Sequence, residues 1–193
     1  MYSLQTSVQI NQASFNIRNG GDYRMVLDCF EALNDAELSH NERIYAALII
    51  FYEDFDDVND FPKDSDEVTE LVKAMFRFFN QNEDIQSNTQ DIRLIDWNED
   101  STLIVSAINN VANQEIRSLP YLHWWTFMGY YMAIGECPLS HIVSIRSKKA
   151  RGEKLEKYEK KFIQDNPQYF NRDMRTPEQK EADDYIKQLW GDA

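Results

Sequence analysis

Residues 7–18 alternate apolar and polar side chains, with Val8 and Ile10, then Phe15 and Ile17, on either side of a polar break, Asn11-Gln12-Ala13-Ser14. Side chains on a strand face opposite sides in turn, so this pattern predicts a short β-hairpin. Gly20-Gly21-Asp22 interrupts it, and Asp22 stands where a helix cap is expected. Met25, Val26, Cys29, Phe30 and Leu33 then recur at helical spacing. A second helix opens at Ser39-His40-Asn41-Glu42, whose Ser and Glu have the spacing of a capping box, and its stripe is Ile44, Ala47, Leu48 and Phe51. The short connection predicts that these two helices pack as antiparallel neighbours.

Between Glu53 and Glu70 there are nine carboxylates against one lysine, Lys63, with Pro62 inside, so an exposed loop is expected to lead into a helix capped by Asp66 or Ser65. Val68, Leu71, Val72, Met75, Phe76 and Phe79 give that helix a wide apolar face, ending at Asn80-Gln81-Asn82. Residues 81–95 read as loop. Asn98 or Asp100 is then placed to cap a helix carrying Leu103, Ile104, Ala107, Ile108 and Val111. After Pro120, the run Leu122 to Ile134 is apolar around most of its circumference, as expected of a central helix packed on several sides.

Gly135 and Pro138 close that run, and Leu139, Ile142, Val143 and Ile145 begin another helix. Arg146 to Lys161 carries eight basic and three acidic residues with Leu155, Tyr158 and Phe162 at helical spacing, which predicts a basic amphipathic helix closed by Pro167. Thr176-Pro177-Glu178-Gln179 opens a last helix with a stripe of Ala182, Tyr185, Ile186, Leu189 and Trp190. The predicted fold is mainly α, a compact bundle of about six to eight helices with a short N-terminal β-hairpin. Residues 1–170 are expected to form a single domain and 171–193 a C-terminal extension with an amphipathic helix.

Composition narrows the function. The chain has 193 residues, 42% of them apolar, enough for a core that needs no disulfide or metal. Six glycines and five prolines are too few for a turn-rich sandwich or barrel. A net charge of −13 works against sequence-independent binding to nucleic acid or anionic lipid. The N-terminus lacks a secretory pattern, and the longest apolar stretch falls short of the roughly 20 residues that cross a bilayer. A soluble protein of a reducing cytosol, with neither nucleic acid nor membrane as partner, is therefore expected.

Charge is unevenly spread. Residues 1–100 hold 21 acids and 7 bases, whereas 101–193 hold 12 acids and 13 bases. The first stretch either solvates a face of the fold or offers an acidic docking face to a basic protein partner.

Catalytic and metal signals are missing. There is no GxxxxGK[ST], GxGxxG, GxSxG or HExxH pattern. His40, His123 and His141 share no metal-ligand spacing, and Cys29 and Cys137 form no CxxC pair. His123, beside Trp124 and Trp125, is expected to bond a backbone group at the start of the central helix. Asp54, Asp56, Asp57 and Asp60 suggest calcium, but from Asp54 the third ligand position is Val58, the turn glycine is Asn59 and the bidentate glutamate is Ser65. No cofactor, no metal and no enzymatic activity are expected.

Three stretches together carry a resemblance: Asp22-Tyr23-Arg24, Trp97 to Val111 with its acidic start, and Leu122-His123-Trp124-Trp125-x-Phe127 followed by Ile142-x-x-Ile145-Arg146. They resemble the bacteriophage Gp-fifteen family over about residues 8–170, with H-W-W-x-F the most specific string; residues 113–119 lack a Tyr-Gly-Ile-Asp-Leu-like run associated with that family.

The resemblance implies a protein encoded among the tail genes of phages and prophages, similar in position and helical character to tail assembly chaperones. Its implied partners are the tape-measure protein and the tail-tube protein, with a homo-oligomer left open, and its implied place is the host bacterial cytoplasm and not the mature virion. A structural subunit of the tail or connector is the alternative, and the nine carboxylates between Glu53 and Glu70 suggest a further one, an acidic inhibitor or regulator of a host protein. Met75, Phe76, Phe79, Met128, Tyr131 and Met132 are the candidate partner-binding residues, because Met and aromatic side chains adapt to many apolar sequences. Tyr185, Leu189 and Trp190 join them if the last helix docks on a partner and not at home.

Overall fold

The computed structural model describes residues 3–83, 93–177 and 179–182. β1 (Ser7–Ile10) and β2 (Ala13–Asn16) pair antiparallel, Val8 opposite Phe15 and Ile10 opposite Ala13. The turn is only Asn11-Gln12, so Ala13 and Ser14, expected in the break, belong to the second strand. Asn11 makes this tight turn by adopting φ 54, a left-handed conformation that asparagine tolerates.

The helices are α1 (Tyr23–Leu33), α2 (His40–Phe51), α3 (Ser65–Phe79), α4 (Ser101–Ala112), α5 (Trp124–Met132), α6 (Pro138–Ala150) and α7 (Lys157–Asp165). The protein is thus mainly helical with an N-terminal hairpin, as its periodicity predicts. By contacts the chain divides into two compact units, Met1–Gln86 with Arg117–Gly129 and Ser87–Ile116 with Tyr130–Ala193.

In the first unit α1 packs on α2, α2 on α3, and β1 on α3. Val26, Cys29, Ala47, Leu48, Phe51, Met75 and Phe78 have essentially no exposed surface. Aromatic rings link these elements: Phe51 stands edge-on to Phe78 and Phe79 at 5.4 and 5.6 Å, and Tyr23 stacks on Phe127 at 4.6 Å. The caps follow the sequence closely. Asp22 accepts from the Arg24 amide, and Ser39 with Glu42 completes the capping box. For α3 the cap is Asp64, just before the two residues the sequence suggested, because its carboxylate reaches the Asp66 amide at 2.9 Å.

The predicted central helix is shorter and less buried than its composition suggests. It spans α5 alone; Leu122, Trp124 and Phe127 are buried, but Met132 is 74% exposed. Burial therefore falls off along α5, from Trp124 and Phe127 to the half-buried Tyr131 and the exposed Met132.

In the second unit α4 packs on α6, and Ile142, Ile145 and Phe170 form a core covered by Leu103, Leu155, Phe162, Ile163 and Tyr169. The basic stretch from Arg146 to Lys161 is not one helix. It is the end of α6, a connection, and the start of α7, and Gly152 makes that connection with φ +68. The last predicted helix starts as expected: the Thr176 amide donates to Gln179 Oε1 at 2.9 Å, and the Gln179 amide to Thr176 Oγ1 at 3.3 Å. Its stripe residues Tyr185, Ile186, Leu189 and Trp190 lie outside the described residues.

Gly21 has φ +81, and a Cβ there would come within 2.8 Å of Phe78 Cζ and 3.0 Å of His123 Nε2. At Gly152 the backbone is also left-handed, but nothing lies within 4 Å. Gly21→Ala should therefore cost about 2–4 kcal/mol, from strain and overpacking together. Gly152→Ala should cost only the strain, about 1–2 kcal/mol. Urea denaturation midpoints of the two variants check this; equal losses would contradict it.

Candidate functional site

Three arrangements of side chains stand out: two buried polar nodes and one open groove. The first node lies in the first unit and uses the residues Asp22-Tyr23-Arg24 and Leu122 to Trp125. Asp22 is 6% exposed, and its two carboxylate oxygens serve three partners. Oδ1 accepts from the Arg24 amide at 3.0 Å and Oδ2 from the Leu122 amide at 2.9 Å, while Arg24 Nη1 donates to both at 3.1 Å. The same guanidinium donates through Nη2 to the carbonyls of Leu119, at 2.7 Å, and Arg117. One carboxylate thus caps α1 and ties the segment before α5 to it.

His123 completes this node. Its Nδ1 accepts from the Trp125 amide at 3.1 Å, which leaves the proton on Nε2, 2.9 Å from the Gln5 carbonyl oxygen. Burial pushes the imidazole below its ordinary value, against the opposing pull of the Gln5 carbonyl and Asp22. The expected bond of His123 to a backbone group at the start of the central helix is present, to the Trp125 amide, and the Gln5 carbonyl is a second partner that the sequence did not suggest. Trp124 and Trp125 each donate an indole N–H to the last carbonyls of α3, Phe79 and Phe78, both at 2.9 Å. Helix ends leave such carbonyls without intrahelical partners, so the two indoles cap α3 from outside. These motif residues hold the fold.

The second node lies in the second unit. Asp100, at the N-cap position of α4, makes no capping bond. Its carboxylate instead receives Arg146 bidentately, at 2.6 and 3.0 Å, and Arg172 at 2.8 Å. Arg146 also donates to the carbonyls of Tyr169 and Leu94. Burial alone raises the Asp100 carboxyl, but the Arg146 hydrogen bond, the Asp96 amide and the two guanidinium charges hold it below the usual carboxylate value. Hydrophobic spacing gave no sign of this pair; it offered Asn98 or Asp100 as the cap of the helix and put Arg146 at the start of a basic amphipathic helix.

The third arrangement is a groove of ≈ 500 Å³ in the first unit, between the hairpin and α3. Ile10, Ala13, Phe15, Pro62 and Leu71 give it apolar walls, Glu67 stands on one side and the turn Asn11-Gln12 on another. Sequence reasoning missed it, because it forms from two segments some 50 residues apart; on the hairpin side its walls Ile10, Ala13 and Phe15 share the apolar face that also carries Val8. Nearby carboxylates of the acidic stretch serve the backbone: Asp54 accepts from the Asn16 amide, and Asp57 and Asp60 cap the short 3-10 turn Val58–Asp60.

The candidate partner-binding residues fall in different places. Met75 and Phe79 are buried in the first unit's core, and Phe76 beside them is 38% exposed. Met128 is half-buried in the first unit. In the second unit Tyr131 is half-buried against Trp97, with ring centroids 5.3 Å apart, and Met132 is exposed. Tyr185, Leu189 and Trp190 lie outside the described residues. Burial leaves Met75 and Phe79 no surface to present. No described helix is long and apolar enough to cross a membrane.

Fold and nodes together define a mainly helical protein whose characteristic motif residues are spent on internal hydrogen bonding. The family model for Bacteriophage Gp15 protein matches residues 1–171, and the chain belongs to that family: it is a phage protein. Neither a curated protein nor a solved structure matches it.

Two outcomes test the nodes. His123 is neutral in the fold and has its folded value below 6.5, so the unfolded chain takes up a proton first as pH falls. Its contribution is complete above pH 6.5 and is lost progressively below that as pH approaches the folded value; His123→Gln should flatten the urea-measured stability profile in that window. An unchanged slope would exclude the assigned protonation state. Asp100→Asn, which strands Arg146 and Arg172, should cost about 3–5 kcal/mol. Adding Arg146→Met should cost less than the sum of the singles in a double-mutant cycle, and strict additivity would contradict a shared node.

Proposed function

We propose that this phage protein is a tail assembly chaperone, which binds the tape-measure protein and assists assembly of tail-tube subunits around it, without catalysis. The observation that carries the reading is an open apolar groove on the acid-rich first unit, with Phe76 also exposed there. Membership of a phage family supplies the context.

The physical reasoning starts from the client. A long amphipathic rod exposes an apolar stripe and aggregates unless that stripe is covered. A groove with apolar walls covers it by the same burial that drives folding, worth roughly 25 cal/mol per Å² removed from water. The net charge of −13 keeps the coated complex soluble through mutual repulsion. On this reading the protein acts in the host cytoplasm and leaves before the virion is complete.

Co-expression with the tape-measure protein encoded in the same phage should shift that protein from pellet to supernatant. Equal precipitation with and without this chain would remove the reading. Mass spectrometry of purified virions separates the main alternative, a structural tail subunit: a stoichiometric signal from this chain in finished particles would favour the subunit.

A further inference from the structure

We infer that the groove between the hairpin and α3 is the docking site, and that its occupant is a polypeptide segment with a few large apolar side chains flanked by lysine or arginine. This rests on the reading that the protein covers another phage polypeptide.

The volume of ≈ 500 Å³ lies within the roughly 300–1,000 Å³ of ligand clefts and has room for a few large side chains. Leu71 and Ile10, nearly buried, form its floor, while Ala13 stands exposed at its edge. Such walls favour apolar groups but do not choose among them; charge does.

Glu67 is exposed on the wall and forms no ion pair or hydrogen bond among the described residues. By contrast, its neighbour Glu70 is matched by Lys73 at 2.7 Å, and Asp64 is occupied by the Asp66 amide. Asp66 is exposed as well, and in the whole stretch from Glu53 to Glu70 Lys63 is the one base against nine acids. A cation arriving at Glu67 therefore meets an uncommitted carboxylate in a strongly negative neighbourhood, whereas an acidic segment is repelled. The side chains of Asn11 and Gln12 make no hydrogen bond among the described residues either, so their amides can bond an occupant's backbone.

The site can be separated from the function by surface changes that leave the core alone. Two 18-residue probes serve, a Leu–Lys amphipathic helix and its Leu–Glu counterpart, with binding followed by fluorescence anisotropy on the full chain. The Leu–Lys probe should bind, the Leu–Glu probe about tenfold more weakly, and binding should weaken as salt rises through the range that screens surface charge. Glu67→Lys and Ala13→Arg, both at exposed positions, should each weaken the Leu–Lys probe about tenfold while circular dichroism and the urea midpoint stay unchanged.

If wild-type chain solubilises the tape-measure protein and both variants do so equally well, the site is overturned and the chaperone reading stands. If wild-type chain fails to solubilise it yet binds the Leu–Lys probe in the groove, the chaperone reading falls and the site survives as a site for basic amphipathic segments. Equal binding of the two probes overturns the assigned chemistry.

Discussion

A carboxylate taken out of water has to be met by hydrogen-bond donors, and in the first unit Asp22 joins the start of α1 to the segment that enters α5. Its donors come from the first turn of α1, from Arg24 and from the Leu122 amide, 100 residues later. Because removing any donor leaves buried charge uncompensated, the hairpin-to-helix corner and the entry to α5 are held in one geometry. Gly21 is required at that corner because His123 and Phe78 occupy the space a side chain would need. From the same place the two indoles reach the end of α3, so a single polar corner sets the register of α1, α3 and α5.

The second unit solves the same problem with another carboxylate. Asp100 holds Arg146 and Arg172, and Arg146 in turn holds the carbonyls of Tyr169 and Leu94. Arg172 is the first residue past the stretch that the family model matches. In both units the recognisable residues are committed inward, to caps, carbonyls and ion pairs. What remains for a partner is surface whose groups are uncommitted, and the groove beside Glu67 has that property.

Much of this was legible in the sequence, and the misses share a cause. Helix spacing located α1, α2 and α3 and the buried positions Val26, Cys29, Leu48, Phe51 and Met75, because burial on one face repeats with the helix period. Cap chemistry located Asp22 and Ser39, because those bonds are local. Asp100 does stand at the N-cap position of α4, but its ion pair with Arg146 was missed, because the two lie 46 residues apart and no periodicity reports a long-range ion pair. The run from Leu122 to Ile134 was read as a central helix packed on several sides; composition reports apolar character but not which side chains face solvent, and Met132 faces it. The groove was invisible for the same reason as Asp100, since it joins the hairpin to α3 only in three dimensions.

On the proposed reading the protein acts through what it covers. The central claim is that the motif residues hold the fold while recognition occurs on the hairpin and the start of α3. Hydrogen–deuterium exchange of the chain alone and in complex with the tape-measure protein tests it most directly. Slower exchange on binding is expected in residues 10–15 and 62–71, with the amides around Trp124 and Trp125 equally protected in both states. Protection confined to α7 and its exposed Tyr158, with the hairpin unchanged, would contradict the account.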